Sequence, residues 1–376
     1  MRKPLSPFAV RRMFCDRPIV QGGMGVGVSL AELAGAVARE GGMGTVSSAC
    51  LDRLVSRRVG RQVGAREAAA LEVAEAKRRS GGRGAVAMNV MVAIQDSYAE
   101  SVLGALDGGA DAIVSGAGLP LSLPSVVAGH PRAEDVALIP IVSSARALRV
   151  LGKRWAAAGR RPDAVVVEGP MAGGHLGWKS REEVEDPAHA LENLVDEVLA
   201  EAERQGGIPV IAAGGIYDHE DVAAMLRRGA AAVQLGTRFL ATQESGASEA
   251  YKRAVVASTL QDIEVAVAPG SPCGLPFRVL RSSSMYRKAV SGVLRVRCDK
   301  GYLRGPAGCL AVREQGKYFC ICNGLLSSAG YNPDEEAPLY TVGANAWRVD
   351  RVVPVRELMA ELCGETEAAL PRAANA

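Results

Sequence analysis

No surplus of one charge sign marks this chain: 44 lysines and arginines stand against 41 aspartates and glutamates, a formal net charge of +3 over 376 residues. Without a basic excess there is no electrostatic footprint for nucleic acid. The densest basic run, "KRWAAAGRR" at 153–161, reads as a solvated helix end rather than a phosphate track. Long hydrophobic runs are missing too. No stretch reaches the roughly 18 apolar residues of a membrane span, and the basic start "MRKPLSPFAVRRMF" carries no apolar signal core. These absences predict a cytoplasmic protein with no membrane or nucleic-acid partner. Cysteine pairs at the C-x2-4-C spacing are absent as well. Eight cysteines in a chain with no secretion signal argue for reduced thiols. The four that crowd together, Cys298, Cys309, Cys320 and Cys322, are separated by ten, ten and one residues, unlike the paired knuckles of structural zinc sites. They are expected to be buried apolar thiols with no metal bound, a metal or iron–sulfur cluster being the alternative that the C-x-C pair leaves open. Histidine is scarce: only His130, His175, His189 and His219.

What is present is alternation. Eight short apolar runs, "PIVQGG" (18–23), "GTVSS" (44–48), "AVAMNVM" (85–91), "DAIVSGAG" (111–118), "ALIPIVSS" (137–144), "DAVVVEG" (163–169), "PVIAAGG" (209–215) and "AAVQLGT" (231–237), are separated by helical patterns. Nearly continuous apolar runs mark parallel strands covered on both sides, and eight such units close a (β/α)8 TIM barrel. Leu191, Leu194, Val195, Val198 and Leu199 fall on one face of a helix, and "YDHEDVAAMLRRGA" has an N-cap in Asp218 and a stop in Gly229. After residue 240 the alternation fails. The expected organisation is a barrel over 1–243, a lid or cap over 244–334 with the cysteine-rich stretch, a final barrel strand and helix over 335–365, and a frayed tail over 366–376.

In such barrels chemistry sits at the carboxyl ends of the strands. Those ends are rich in glycine here: Gly22, Gly23 and Gly25, Gly116 and Gly118, Gly173 and Gly174, Gly214 and Gly215, and Gly236. Glycine lets a backbone approach a ligand and leaves its N–H groups free. The ends of the last two strands, "AAGGI" and "QLGTRF", predict a phosphate cradle from Gly214, Gly215, Gly236 and Thr237, with positive charge nearby on Arg238. "GGMGVG" does not match the dinucleotide fingerprint G-x-G-x-x-G. His175 follows a strand and two glycines, so its imidazole faces the site, able to take a carbon-bound proton or hold an oxyanion. The other three histidines read as surface or capping residues. Ser115, Ser143 and Ser144 also lie at strand ends, where hydroxyls serve either a ligand or local turn amides.

"PIVQGGMGVG", "EGPMAGGHLG" and "PVIAAGGI...GAAAVQLGTRF", in this order, resemble the nitronate monooxygenase family, formerly the 2-nitropropane dioxygenases, which is related to FMN-dependent enoyl-acyl-carrier-protein reductases. The resemblance covers about residues 15–245, with a further match at "GANAWRVDRVVPVREL". It implies an FMN-dependent oxidoreductase. FMN would place its phosphate on Gly214, Gly215, Gly236 and Thr237 and its ring against Gly22, Gly23, Met24 and Gly25. Asn89, Glu168, Gly173, Gly174, Ala213 and Leu235 complete the implied cofactor-binding set. His175 matches the family's histidine beside the flavin, a general base or substrate-positioning group. Relatives often carry an acidic residue where this chain has Met171. The implied activity is oxidation of alkyl nitronates or nitroalkanes with O2. The alternative on the same scaffold is an NAD(P)H-dependent reductase, such as an enoyl-thioester reductase, for which an acyl-carrier protein is a partner. The residues also leave open a non-redox barrel for a phosphorylated metabolite and a flavoprotein that only binds. The expected ligand is a small molecule, and a homodimer is left open.

Overall fold

Side chains alternate between two layers along each apolar run, and that alternation builds the architecture. The computed structural model describes residues 5–296, 308–331 and 336–365. A short antiparallel hairpin, β1 (Phe8–Val10) and β2 (Met13–Cys15), comes first. Eight parallel strands follow: β3 (Ile19–Gln21), β4 (Met43–Ser47), β5 (Ala85–Met91), β6 (Ala112–Gly116), β7 (Ala137–Val142), β8 (Val165–Glu168), β10 (Val210–Ala213) and β11 (Ala232–Leu235). They close into one barrel, with β11 pairing back to β3. The fold is a (β/α)8 barrel, and each expected strand falls where its apolar run lies.

On β5, Ala85 and Ala87 face the barrel interior, while Val86, Met88 and Val90 pack into the outer layer of helices. The same division puts Val166 inside and Val165 and Val167 outside on β8, and Ile211 and Ala213 inside on β10. Many inward residues are alanines, too small to fill the barrel alone. Phe8, Val10, Met13 and Cys15 of the hairpin join the interior cluster and cap it from one end. The basic N-terminal run thus conceals a structural plug. Burial pushes the Cys15 thiol up to about 12.

The outer layer rests on helices such as Leu191–Arg204, which buries Leu191, Leu194, Val195 and Val198. Asp218 caps His219–Arg228 with a capping box, and Gly229 ends it at φ +112°.

Beyond the barrel, residues 263–280 do not form a detached cap. Strands β12 (Ile263–Ala266) and β13 (Phe277–Leu280) pair antiparallel, and β13 also pairs with β9 (Gly174–His175). The loop after β8 is therefore the third strand of the cap's own sheet. Phe277, Val279, Met285, Phe319 and Leu339 form a separate core for this region. Among the described residues, 336–365 add no barrel strand. The helix expected over 347–362 forms only at Val355–Leu362, after a 3₁₀ turn at Ala346–Arg348, because Pro354 occupies its N-cap. The tail 366–376 lies outside the described residues. No described helix is long and apolar enough to cross a membrane.

Candidate active site

Period two along the strands carries specific side chains to the carboxyl-end rim. Asn89 continues the inward series Ala85, Ala87; Glu168 continues Val166; Gln234 follows Ala232. All three line one cavity of about 980 Å³. So do Gly22, Gly23, Met24, Gly25, Gly173, Gly174, His175, Ala213, Gly214, Gly215, Gly236 and Thr237. Leu235 borders the cavity as well, although its side chain packs into the outer core.

Bare backbone forms much of the wall, and the packing shows why. A Cβ on Gly23 would lie 2.3 Å from the Asn89 Cβ, and one on Gly173 would lie 2.7 Å from the Val342 carbonyl carbon. Gly214 and Gly215 adopt φ of +92° and +105°, a region that side-chain-bearing residues rarely enter. The Thr237 hydroxyl accepts from the Gly343 N–H at 2.8 Å, which leaves its own proton to donate. Asn345 Nδ2 donates to the Gly215 carbonyl at 2.5 Å and braces the same turn.

His175 is held more firmly than two glycines would hold it. Its Nε2 lies 2.7 Å from Ser271 Oγ, which also accepts from the Cys273 N–H at 3.1 Å. Its ring meets Phe277 edge-on, with centroids 4.7 Å apart at 71°. Burial lowers the imidazole pKa to about 4, so at neutral pH it is neutral, with one nitrogen to donate and one to accept. Burial raises the Glu168 carboxyl to about 7.

Three expectations are corrected by the geometry. Arg238 lines the cavity, but Glu361 takes up its charge at 2.8 and 2.9 Å and Tyr217 stacks 4.3 Å from it, so it is not a free cation for a phosphate. His219 is buried, with Nδ1 3.0 Å from the Leu362 carbonyl, and fastens the last helix rather than lying at the surface. His189 lines the cavity beside Trp178, its Nδ1–H donating to the Glu183 carbonyl at 2.6 Å. His130 stays outside the site, next to Asp107 at 3.1 Å.

Of the strand-end serines, Ser115 turns outward to the Val90 carbonyl and Tyr98, Ser144 caps a helix through the Ala147 N–H, and Ser143 lines the cavity. Sequence reasoning missed Gln234, Ser271, Phe277 and Asn345. Gln234 alone carried a local signal, its inward register on β11. Among the described residues no cluster of His, Cys, Asp or Glu is arranged to hold a metal ion. Cys309, Cys320 and Cys322 lie in the cap, the last of them on the cavity wall; Cys298 lies outside the described residues.

A glycine-walled cavity at the carboxyl end of a (β/α)8 barrel, with a neutral histidine over it, defines an oxidoreductase class when set beside the known proteins this chain matches. The nitronate monooxygenase family model matches residues 9–365, and the chain belongs to that family. It is 32% identical over 305 residues, 81% of this chain and 71% of the relative, to the Mycobacterium tuberculosis "(3aS,4S,5R,7aS)-5-hydroxy-7a-methyl-1-oxo-octahydro-1H-indene-4-carboxyl-CoA dehydrogenase". A Rhodococcus jostii protein of the same name is 37% identical over 164 residues, 44% of this chain and only 40% of that relative's length. A Staphylococcus aureus "Probable nitronate monooxygenase" is 40% identical over 106 residues, 28% of this chain and 29% of the relative. Among solved structures, FabK from Thermotoga maritima superposes with TM-score 0.66 at 26% identity, covering 93% of each chain. Nitroalkane oxidase from Streptomyces ansochromogenes superposes at 0.62 and 25% identity, covering 93% of this chain and 96% of that one.

Proposed function

We propose that this chain is an FMN-dependent oxidoreductase that oxidises nitronates or nitroalkanes with O2. The observation that carries the reading is the half-buried His175, held by Ser271 and Phe277 at a cavity walled by bare backbone. Asn89, Glu168 and Gln234 support the cofactor. They line the cavity, and none has a hydrogen-bond partner for its side chain among the described residues. Their polar atoms open into the cavity instead of pairing within the protein, which leaves them available to orient a ligand. Asn89 and Gln234 would hold the polar edge of the isoalloxazine, Gly22 to Gly25 its face, and Gly214, Gly215, Gly236 and Thr237 the phosphate. FMN would supply the electron acceptor that protein side chains lack.

The chain's own groups handle the proton. His175 is uncharged above about pH 4 and can take the proton from the carbon next to an electron-withdrawing group, or donate a hydrogen bond to the anion already formed. Which nitrogen acts depends on Ser271: a hydroxyl that donates to Nε2 leaves the proton on Nδ1. Phe277 excludes water from the ring edge.

A second reading is favoured by the cavity's size. At about 980 Å³ it stands at the upper end of ligand pockets. The dehydrogenases of a bicyclic acyl-CoA named above suggest an acyl thioester, whose α-proton or enolate His175 would handle in the same way, with NAD(P)H as reductant in the reducing direction. Anaerobic spectra of the purified protein separate the two. Flavin bleaching by a nitronate with O2-dependent recovery supports the first, and bleaching by NADH, NADPH or a hydroxyacyl thioester supports the second. A colourless protein that does not take up FMN removes both.

A further inference from the structure

The least expected charge in the molecule is Arg278. It sits on β13, next to the Phe277 that touches His175, and is 6% exposed. Alternation sends Phe277 to the cavity wall and Arg278 to the opposite face, and Arg278 is not among the cavity's lining residues. Among the described residues it has no carboxylate within ion-pair distance. Burial without such a partner lowers its pKa to about 10, yet the side chain stays charged at neutral pH. Burying a guanidinium without an acid is costly unless its hydrogen bonds are made.

Its partners are backbone carbonyls of one turn. Nη1 donates to the Pro170 oxygen at 2.7 Å and to the Ala172 oxygen. The carbonyl between them, of Met171, accepts from the Ala344 N–H at 2.9 Å. Three consecutive carbonyls are therefore pinned, two by Arg278 of the cap and one by the segment that follows it. A trans peptide is planar, with its C=O and N–H antiparallel, so fixing the Ala172 oxygen also turns the Gly173 N–H away from the guanidinium. Gly173 lines the cavity, and two residues on stands His175.

We infer that Arg278 is a positioning residue: its guanidinium clamps the 170–172 turn so that the Gly173 backbone and the His175 imidazole face the substrate. The clamp also explains why β13 pairs with β9, since Arg278 pairs through its backbone with Gly174 while its side chain holds the turn just before it. An apolar side chain of similar length would fill the space without pinning the carbonyls. The inference rests on His175 being the working group of the proposed oxidoreductase, but the clamp itself is measurable without turnover.

Hydrogen exchange on the full-length FMN-loaded protein and on Arg278→Met tests it. The expected result is exchange at least tenfold faster in the peptide spanning 168–178, with Ala85–Met91 as protected as before. The kcat on the best wild-type substrate should fall at least tenfold with KM within about twofold, and millimolar guanidinium ion should restore part of it. Unchanged exchange in 168–178, or acceleration spread equally over the barrel strands, overturns the clamp. If Arg278→Met does not fold, Arg278→Lys takes its place: a single ammonium reaching one carbonyl should give an intermediate exchange rate, and wild-type exchange and kcat would count against the inference. A wild type without FMN or turnover defeats the functional reading, while the exchange data still decide the clamp.

Discussion

The barrel rim and the cap both supply walls to the cavity, but by different means. The rim contributes backbone: glycines after β3, β8, β10 and β11, with Asn89, Glu168 and Gln234 as the inward ends of strands. The cap contributes side chains that act on one loop: Ser271 on His175 Nε2, Phe277 on its ring, Arg278 on the turn before it. The rim is thus suited to a cofactor, whose shape calls for close backbone approach, and the cap holds the residue proposed to meet the substrate. Cofactor binding and turnover should come apart under mutation.

The largest effect is expected at the junction. His175→Ala should keep FMN and lose about 10²- to 10⁴-fold in kcat/KM, measured with the substrate that bleaches the wild type; undiminished kcat/KM would remove the base assignment. On the rim, Gly23→Ala drives a methyl group into the Asn89 side chain, and the purified protein should carry less than a tenth of the wild-type FMN. Full FMN content there would dissolve the division of labour.

In the cap, Phe277→Ala removes a side chain that is 1% exposed and should cost about 3–5 kcal/mol in denaturant titration. FMN content in the surviving folded fraction should be retained, whereas loss of FMN would mean that the cap also holds the cofactor. Ser271→Ala should be milder, about 0.5–1.5 kcal/mol for the lost hydrogen bond, with the acidic limb of the pH–rate profile displaced from that of the wild type. An unmoved limb would show that Ser271 does not set the His175 proton.

The most diagnostic effect lies in pH-dependent stability of the cofactor-free protein. Glu168, raised to about 7, favours the neutral form on folding, so its contribution is full below about pH 4.5 and is lost as pH rises towards 7. His175, lowered to about 4, contributes fully above about pH 6.5 and loses that contribution as pH falls towards 4. Glu168→Gln should flatten the first slope and His175→Ala the second. A curve that neither variant changes would place both groups in solvent.

How much of this was readable beforehand depends on the range of the interaction. All eight barrel strands lay in apolar runs, and Asn89 and Glu168 lay at predictable inward ends. Gln234 obeyed the same period and was legible, though masked by the glycines beside it. The hairpin plug at Phe8–Cys15 was hidden because its alternation spans only a few residues among arginines. Arg238 looked like a phosphate ligand until Glu361, 123 residues away, was seen to hold it.

The sequence by itself determined the barrel, the glycine-lined rim and the presence of a histidine above it, because side-chain period and glycine's freedom are properties of a few neighbouring residues. Only the tertiary structure decided how that histidine is held. Ser271 lies 96 residues from His175, and Arg278 lies 108 from Pro170 and 106 from Ala172. The pairing of β13 with β9 joins them, and contacts across such separations leave no periodic trace in the chain.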